Sequence, residues 1–271
     1  MKFQTKDGLQ LFYKHWEVAY AKTVIALIHG LGEHTMRYEH WAKMFNQKGY
    51  AVVGLDSRGH GQSDGKRGFV PHYDSFLDDI DVFLAEIRKM YPTSKVILYG
   101  HSLGGGQVLN YLLRRKHNLD GIIATGSFIT LSFKPNPIIL FLGKLTLKIA
   151  PSFTQNNQVN TKALSKDAAI VTAYENDPLV NDKLSSALGI GALEAGEFLN
   201  NYKGEIKIPT LLLHGSEDKL TNPEGTVTFY HNTTGSRTLK LFPNLFHEIH
   251  NEPEKQAVFD YIINWLSLQD L

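Results

Sequence analysis

The residue best suited to covalent chemistry in this chain of 271 residues is Ser102. It lies in the segment GHSLG (100–104), directly after the apolar run 95–99 and before a stretch typical of a helix. A serine that projects from a sharp turn between a strand and a helix has strained backbone angles, and small residues two positions on either side of it prevent clashes. This pattern predicts that Ser102 is a nucleophile. The alternative is a glycine-rich turn that only packs a helix against a strand.

A serine hydroxyl is a weak nucleophile, so it needs a general base and a carboxylate that orients the base. In folds that present serine at such a turn, the acid and then the histidine follow along the chain, each after a later strand. Asp218 follows the apolar run 210–214, and His247 follows the run 238–242. These positions predict Ser102 as nucleophile, Asp218 as orienting acid and His247 as general base.

Each partner of the serine has a neighbour of similar chemistry. Glu217 could replace Asp218 as the acid, and His250, which is expected within or near the start of the last helix, could replace His247. His247 and His250 could also bind a metal together. They lack the i, i+4 spacing of the helical zinc motif, and no second cluster of ligands accompanies them. The sequence therefore predicts no metal site.

Two turns are candidates for the backbone donors that would bind an oxyanion. The helix after the serine directs its N-terminal amides and the positive end of its dipole towards the reacting carbonyl. The segment HGLG (29–32) follows an earlier strand, where this architecture has its second donor. We expect the amides of Leu31 and Leu103 to be these donors. A tight turn without a catalytic role is the alternative at Leu31.

Strands that alternate with helices must position these residues. Continuous apolar and β-branched runs, which are typical of strands covered on both faces, lie at 23–29, 50–55, 95–99, 121–124, 210–214 and 238–242. Amphipathic stretches between them predict helices. An N-terminal hairpin is expected around the Asp7-Gly8 turn. The predicted fold class is α/β, namely an α/β-hydrolase fold with a mostly parallel central sheet, helices on both faces and a helical cap insertion.

The cap is predicted from an interruption of this alternation. Residues 129–207 are too many for a simple loop between a strand and a helix, and they contain several stretches compatible with helix. We expect them to form a cap subdomain, and residues 1–128 with 208–271 to form the core. The most apolar side chains of the cap would either line an acyl tunnel or pack on the core; they are residues 138–142, Leu145, Leu147 and Ile149.

Composition excludes several other classes of protein. The formal net charge is +1 and the basic residues are scattered, so nucleic acid is not an expected partner. The chain has no cysteine, which excludes disulfides, thiolate metal sites and cysteine nucleophiles. It has neither a signal-like segment nor the roughly 18 consecutive apolar residues of a membrane span. A cytoplasmic protein is expected. Transient peripheral contact of the cap with membranes and the oligomeric state are left open.

Several segments also carry a family signal: HGLGEHTMRY (29–38), GLDSRGHGQSDGKRG (54–68), GHSLGGG (100–106), ENDPLV (175–180), LLLHGSEDKLTNPEG (211–225) and HEIHNEPE (247–254). Together and in this order they resemble the monoacylglycerol lipase and lysophospholipase family of α/β-hydrolases. The resemblance extends over nearly the whole chain and is weakest in the cap. It implies an enzyme without a cofactor that hydrolyses carboxylic esters of a small-molecule lipid, such as a monoacylglycerol.

The resemblance implies the triad and the oxyanion donors named above. It also implies that Arg37 and His101 lie near a polar pocket for glycerol. Each has an alternative, since Arg37 could be an ordinary loop residue and His101 a hydrogen-bonded, partly buried histidine. Lysophospholipase, short-chain carboxylesterase and thioesterase activities would use the same three residues. A binding protein that has this fold but no catalysis is the alternative of a different class.

Overall fold

The centre of the protein is a mostly parallel sheet, in a computed structural model that describes residues 1–134 and 136–271. The strands are β1 Lys2–Gln4, β2 Gln10–Trp16, β3 Thr23–Ile28, β4 Ala51–Leu55, β5 Lys95–His101, β6 Gly121–Thr125, β7 Thr154–Asn156, β8 Lys183–Ser185, β9 Gly204–Gly215 and β10 Thr233–Phe242. Eight of them form one sheet in the order β1-β2-β4-β3-β5-β6-β9-β10. The pairs β1-β2 and β2-β4 are antiparallel, and the other pairs are parallel.

Helices cover both faces of this sheet. They are α1 Glu39–Gln47, α2 Asp74–Met90, α3 Leu103–Arg114, α4 Pro137–Ile149, α5 Ala168–Glu175, α6 Ser186–Asn201, α7 Pro223–Asn232 and α8 Lys255–Leu268. Every residue of β3, β4 and β6 is buried, as the continuous apolar runs require of strands between two helical layers. The predicted α/β class with a mostly parallel sheet is confirmed.

One helical layer shows how the amphipathic pattern builds the core. The apolar side of α1, formed by Trp41, Ala42 and Phe45, is fully buried and packs on α8. The ring of Phe259 meets Trp41 at 5.3 Å and Phe45 at 5.0 Å between centroids, both edge to face. Truncation of such a buried aromatic side chain costs about 3–5 kcal/mol of folding free energy. The packing of α1 on α8 therefore contributes strongly to the stability of the fold.

Strand register brings the candidate site together at the carboxyl edge of the sheet. Ile28, the last residue of β3, is opposite Gly100, and His101 is opposite Thr125 of β6. The turns that follow β3, β5 and β6 therefore lie side by side. Since parallel strands end at the same edge, the loops after β9 and β10 reach it as well.

Between β6 and β9, the described residues form three α-helices, α4, α5 and α6, and a small antiparallel sheet of β7 and β8. The sequence predicted helices there but not this pair of strands. Only α6 packs deeply on the core, where Leu188 and Leu199 join the same apolar cluster as Val108 of α3. The division into core and cap stays a prediction, and β9 already begins at Gly204, inside the range predicted for the cap. No helix in the described parts of the chain is long and apolar enough to cross a bilayer.

Candidate active site

Ser102 lies on a strained turn between β5 and α3. Its backbone angles are φ 55° and ψ −117°, a conformation that costs on the order of 1–3 kcal/mol for a residue with a side chain. The turn is held because Ser102 donates its amide to Thr125 O at 2.9 Å and accepts from the amide of Phe128 at 2.9 Å. A Cβ atom at Gly100 would collide with the carbonyl of Gly104. The glycines of the motif are therefore required by close contact between backbones.

A line of hydrogen bonds connects the serine, a histidine and a carboxylate. Ser102 Oγ lies 2.8 Å from His247 Nε2, and His247 Nδ1 lies 2.6 Å from Asp218 Oδ2. If Nδ1–H donates to the carboxylate, Nε2 is free to accept the hydroxyl proton. The structure thus brings together the three residues that the sequence analysis assigned as a triad. Their catalytic roles stay predictions.

The carboxylate of Asp218 is buried among several donors. Besides His247, its Oδ2 lies 3.0 Å from His214 Nε2 and 2.9 Å from Thr221 Oγ1, and Leu220 N donates to Oδ1 at 2.8 Å. Burial by itself would raise the pKa of Asp218, but His247 and His214 outweigh it and hold that pKa well below its usual range. The group therefore stays ionised and can stabilise a protonated imidazole.

The same pair acts on the histidine in the opposite sense. Burial by itself would lower the pKa of His247, but the carboxylate of Asp218 outweighs it and raises this pKa above the ordinary value of 6.5. A base with a raised pKa accepts a proton more readily from a hydroxyl group. The electrostatics are those expected of a general base.

The two rival residues lie elsewhere. Glu217 is exposed, in contrast to the buried Asp218 beside it. His250 lies in the turn before α8, where its ring stacks on Tyr38 with 4.5 Å between centroids. Neither takes part in the hydrogen-bonded line from Ser102.

The two predicted oxyanion donors flank the serine. Leu103 is the first residue of α3, and Leu31 follows Gly30, whose Cβ position would be 3.0 Å from Ser102 Cβ. Within residues 1–134 and 136–271, neither of the two leucine amides donates to a protein acceptor. Both are therefore available for an oxyanion, and this role stays a prediction.

Arg37, predicted to lie near a glycerol pocket, is held between two buried carboxylates. It donates to Glu33 at 2.6 Å and to both oxygens of Glu248 at 2.7 and 2.8 Å, and it covers the ring of Tyr174 at 4.7 Å. Burial by itself would raise the pKa of Glu248, but Arg37 outweighs it and lowers this pKa to about 2. The cavity beside Ser102 is lined by the two glutamates rather than by the arginine. Contact of Arg37 with a substrate stays a prediction.

His101 is buried behind the catalytic histidine candidate. Its Nδ1 lies 3.1 Å from Thr125 Oγ1, and its ring centroid is 4.7 Å from that of His247. Burial and the neighbouring His247 lower the pKa of His101 to about 3. The residue is therefore neutral at ordinary pH, and it forms part of the inner wall of the cavity.

Four supporting residues were missed by the sequence analysis. His214, the next-to-last residue of β9, and Thr221 both support the Asp218 carboxylate, and Thr221 also lies 2.9 Å from Gly126 O. Glu33 and Glu248, which fix Arg37, were also missed. Only the i, i+4 spacing of Glu33 and Arg37 was a local signal.

A cavity of about 640 Å³ opens from the serine and extends beneath the cap. Side chains from α4 and α6, among them Ile139, Leu140 and Leu188, line it together with the polar segment 155–160. No residue of α4 is buried, and Phe141 is 68% exposed. The helix therefore does not bury its apolar side chains in the core, as the alternative expected. Two of these side chains, Ile139 and Leu140, line the cavity.

Sheet order, the strained serine after β5 and the cap insertion together define an α/β-hydrolase. The model of the family described as "Serine aminopeptidase, S33" matches residues 19–254. A monoacylglycerol lipase of Mycolicibacterium smegmatis is 30% identical over 267 residues, which cover 97% of this chain and 95% of that protein. The chain belongs to this α/β-hydrolase family, and its resemblance to monoacylglycerol lipases is confirmed.

Two further comparisons agree with this assignment. The crystal structure of a monoacylglycerol lipase from Paleococcus ferrophilus superposes with a TM-score of 0.88 at 31% identity, covering 96% of this chain and 99% of that one. An abhydrolase domain-containing protein of Dictyostelium discoideum is 37% identical over 245 residues, or 89% of this chain. The chain spans only 26% of the length of that larger relative.

Proposed function

We propose that this protein hydrolyses carboxylic esters of single-chain lipids, with monoacylglycerols as the preferred class. The observation that carries the proposal is the unbroken line from Ser102 Oγ through His247 to Asp218, with bonds of 2.8 and 2.6 Å. A hydroxyl, an imidazole and a carboxylate in this order are the arrangement that activates serine for acyl transfer. Membership in a family with named monoacylglycerol lipases supports the choice of substrate.

In the proposed reaction Ser102 Oγ attacks the ester carbonyl while its proton passes to His247 Nε2. Asp218 stabilises the imidazolium, and the amides of Leu31 and Leu103 donate to the tetrahedral oxyanion. The intermediate collapses when the alcohol leaves with the proton from the imidazole. Water then repeats the sequence on the acyl-enzyme, and the fatty acid is released.

The cavity supports a lipid as the acyl donor. Its volume of about 640 Å³ lies in the range typical of ligand sites, and the side chains that α4 and α6 contribute to its lining are mainly apolar. Each methylene group buried there contributes about 0.8 kcal/mol. Carboxylates of Glu33 and Glu248 and the carboxamides of segment 155–160 give the cavity polar groups suited to an alcohol with free hydroxyls.

The cap also supports transient contact with a lipid surface. Helix α4 exposes Ile138, Phe141 and Ile149 to solvent, with exposed fractions of 68, 68 and 76%. Lys144 and Lys148 on the same helix are exposed as well and carry positive charge towards anionic headgroups. Contact of this helix with a bilayer would bring the mouth of the cavity to its substrate.

The test is a substrate panel with wild-type protein and Ser102→Ala. Monoacylglycerols of short and long acyl chain, lysophospholipids, short esters and thioesters are compared by kcat/KM. We expect the highest values for long-chain monoacylglycerols and a loss of roughly 10⁴-fold or more in Ser102→Ala. Ser267→Ala, on the exposed side of α8, is the matched control.

The possible outcomes test the substrate class, the acyl tunnel, catalysis itself and the identity of the nucleophile. A preference for lysophospholipids, short esters or thioesters would replace the substrate class, and equal rates for all chain lengths would remove the acyl tunnel. Binding of esters without turnover by the wild type would favour a non-catalytic protein. Near-wild-type turnover by Ser102→Ala, or fluorophosphonate labelling of another serine, would overturn the nucleophile.

A further inference from the structure

The cap touches the candidate oxyanion loop directly. We define the oxyanion loop as residues 30–37 and the strap as residues 174–181 of the cap. Asn181 N donates to Gly32 O at 2.8 Å, and His34 Nε2 lies 2.9 Å from Asp177 Oδ2. The guanidinium at the end of the loop also covers the ring at the start of the strap. Three separate contacts therefore connect the two segments.

One carboxylate serves both segments. Asp177 Oδ1 accepts the amide of Leu179 at 2.8 Å, which folds the strap, while Oδ2 holds His34 of the loop. The His34 side chain is 3% exposed and that of Asp177 is 25% exposed. A hydrogen bond with one end inside the protein is well protected from competition by water. The hydrogen bond therefore joins the strap to a buried side chain of the loop.

The backbone of the strap lies against a glycine of the loop. Gly32 has φ +76°, and a Cβ atom there would collide with the carbonyl of Asn181 and lie 3.3 Å from the hydroxyl of Tyr174. A glycine at positive φ has many other conformations available when nothing holds it. The bond from Asn181 removes that freedom on one side of Leu31. On the other side, Glu33 accepts the amide of Gly30 at 2.6 Å.

We propose that the strap positions the oxyanion hole: Asp177, acting through His34, and the amide of Asn181, acting through Gly32, hold the Leu31 amide in its catalytic direction. The inference rests on the proposed function and adds that the chemical step requires a seated cap. Neither residue touches the reacting atoms, so both are positioning residues. The ENDPLV segment (175–180) thereby acquires a role in rate rather than in substrate contact.

The experiment compares Asp177→Ala with Glu175→Ala. Glu175 lies in the same strap and carries the same charge, but it is exposed and accepts from Thr161 Oγ1 at 2.6 Å rather than from the loop. We expect kcat on a monoacylglycerol to fall roughly 10- to 100-fold in Asp177→Ala, with KM changed less than threefold, because a small displacement of a donor has effects of this size. Glu175→Ala should retain the wild-type kcat.

A second readout isolates the oxyanion. An alkylboronic acid adds to an active serine as a tetrahedral anion, so its affinity reports the same donors without turnover. Asp177→Ala should weaken it by a factor similar to the loss in kcat, and Asp177→Asn, which keeps an acceptor oxygen, by less. A purely structural role would lower Tm without changing the ratio of boronate to substrate-ester affinity.

A double-mutant cycle with His34→Ala completes the test. If Asp177 acts through His34, the double variant loses no more kcat than the worse single variant. Additive losses, or an unchanged kcat in Asp177→Ala, would overturn the inference. If Asp177→Ala does not fold, Asp177→Asn decides by the same two readouts. A wild type without turnover on the ester panel would instead refute the proposed function.

Discussion

Helices α3 and α4 are of nearly equal length and meet the same cavity, yet their burial is opposite. The first nine residues of α3, from Leu103 to Tyr111, are all buried, whereas no residue of α4 is buried. The first helix fixes Ser102 against the sheet, so its position follows from backbone packing. The second packs against α6 and forms a wall of the cavity that is exposed to solvent. The contrast teaches that the end of the cavity at Ser102 is buried in the core, whereas its wall at α4 is exposed to solvent.

The largest expected effect tests the core side of this comparison. Asp218→Asn should lower kcat by about 10⁴-fold, because an amide no longer holds the imidazole in the tautomer that accepts the serine proton. Glu217→Gln removes the neighbouring, exposed carboxylate and should leave kcat unchanged. Steady-state kinetics with a soluble ester measure both variants. If Glu217→Gln were the more impaired, the acid would be wrongly assigned.

Truncation of a phenylalanine should have different effects on the stability of the protein in the core and in α4. Phe45→Ala, in the layer between α1 and α8, should lower the free energy of unfolding by about 3–5 kcal/mol. Phe141→Ala, on the exposed side of α4, should change it by less than about 0.5 kcal/mol. Denaturant titration gives both values. Equal losses would mean that α4 packs on a surface in solution, contrary to its exposure here.

The pH profile should show the influence of the buried carboxylate on the base. The neutral form of His247 is required, so kcat/KM should fall about tenfold per pH unit on the acid side, with a midpoint above 6.5 because Asp218 raises this pKa. Asp218→Asn should move the midpoint to lower pH. His231→Gln, at an exposed histidine of α7, should not move it. A midpoint below 6.5 in the wild type would contradict this electrostatic description.

The smallest effect concerns the exposed wall. Phe141→Ser should weaken partition onto vesicles that contain anionic lipid by roughly tenfold or more, since burial of such a side chain contributes about 1.5–3 kcal/mol. Tyr20→Ser changes a fully exposed aromatic residue before β3, at the opposite end of the sheet from the cap. Co-sedimentation should detect a loss only for Phe141→Ser, and turnover of a soluble short ester should be equal in both. Equal binding of the two variants would remove the proposed membrane contact.

The common location of the triad candidates at one edge of the sheet could be predicted because each of them lies within five residues after the end of a strand. Ser102 follows β5, Asp218 follows β9 and His247 follows β10, and the carboxyl ends of parallel strands share one edge. The local residue types and the topology rule are therefore sufficient to predict a common location. The sheet and the position of the loops needed no long-range information.

The supporting groups could not be predicted in this way. Arg37 and Glu248 are 211 residues apart, and nothing in the local pattern around the glutamate indicates its partner. His214 is the next-to-last residue of β9, and Thr221 forms a single β-bridge with Leu131 before α7. Their roles depend on which loops the fold brings together, which is a property of three-dimensional packing.

The predicted boundaries of strands were wrong where the strands are only partly buried. The expected run at 210–214 covers only the second half of β9, because the first half alternates exposed and buried residues up to Pro209. β10 is the last strand of the sheet and is likewise only partly covered, so its first residues are polar. β7 and β8 have three residues each, too few to form a recognisable period.

A row of imidazoles near the serine has a consequence for where a proton can travel. The ring centroid of His101 lies 4.7 Å from that of His247 and 4.8 Å from that of His250. Burial lowers the pKa of His101 and of His250 below the ordinary value, whereas the carboxylate of Asp218 raises that of His247 above it. In the proposed mechanism a proton on His247 is therefore not favoured to move on to His101 or His250. The two neighbouring rings thus favour its transfer to the departing alcohol.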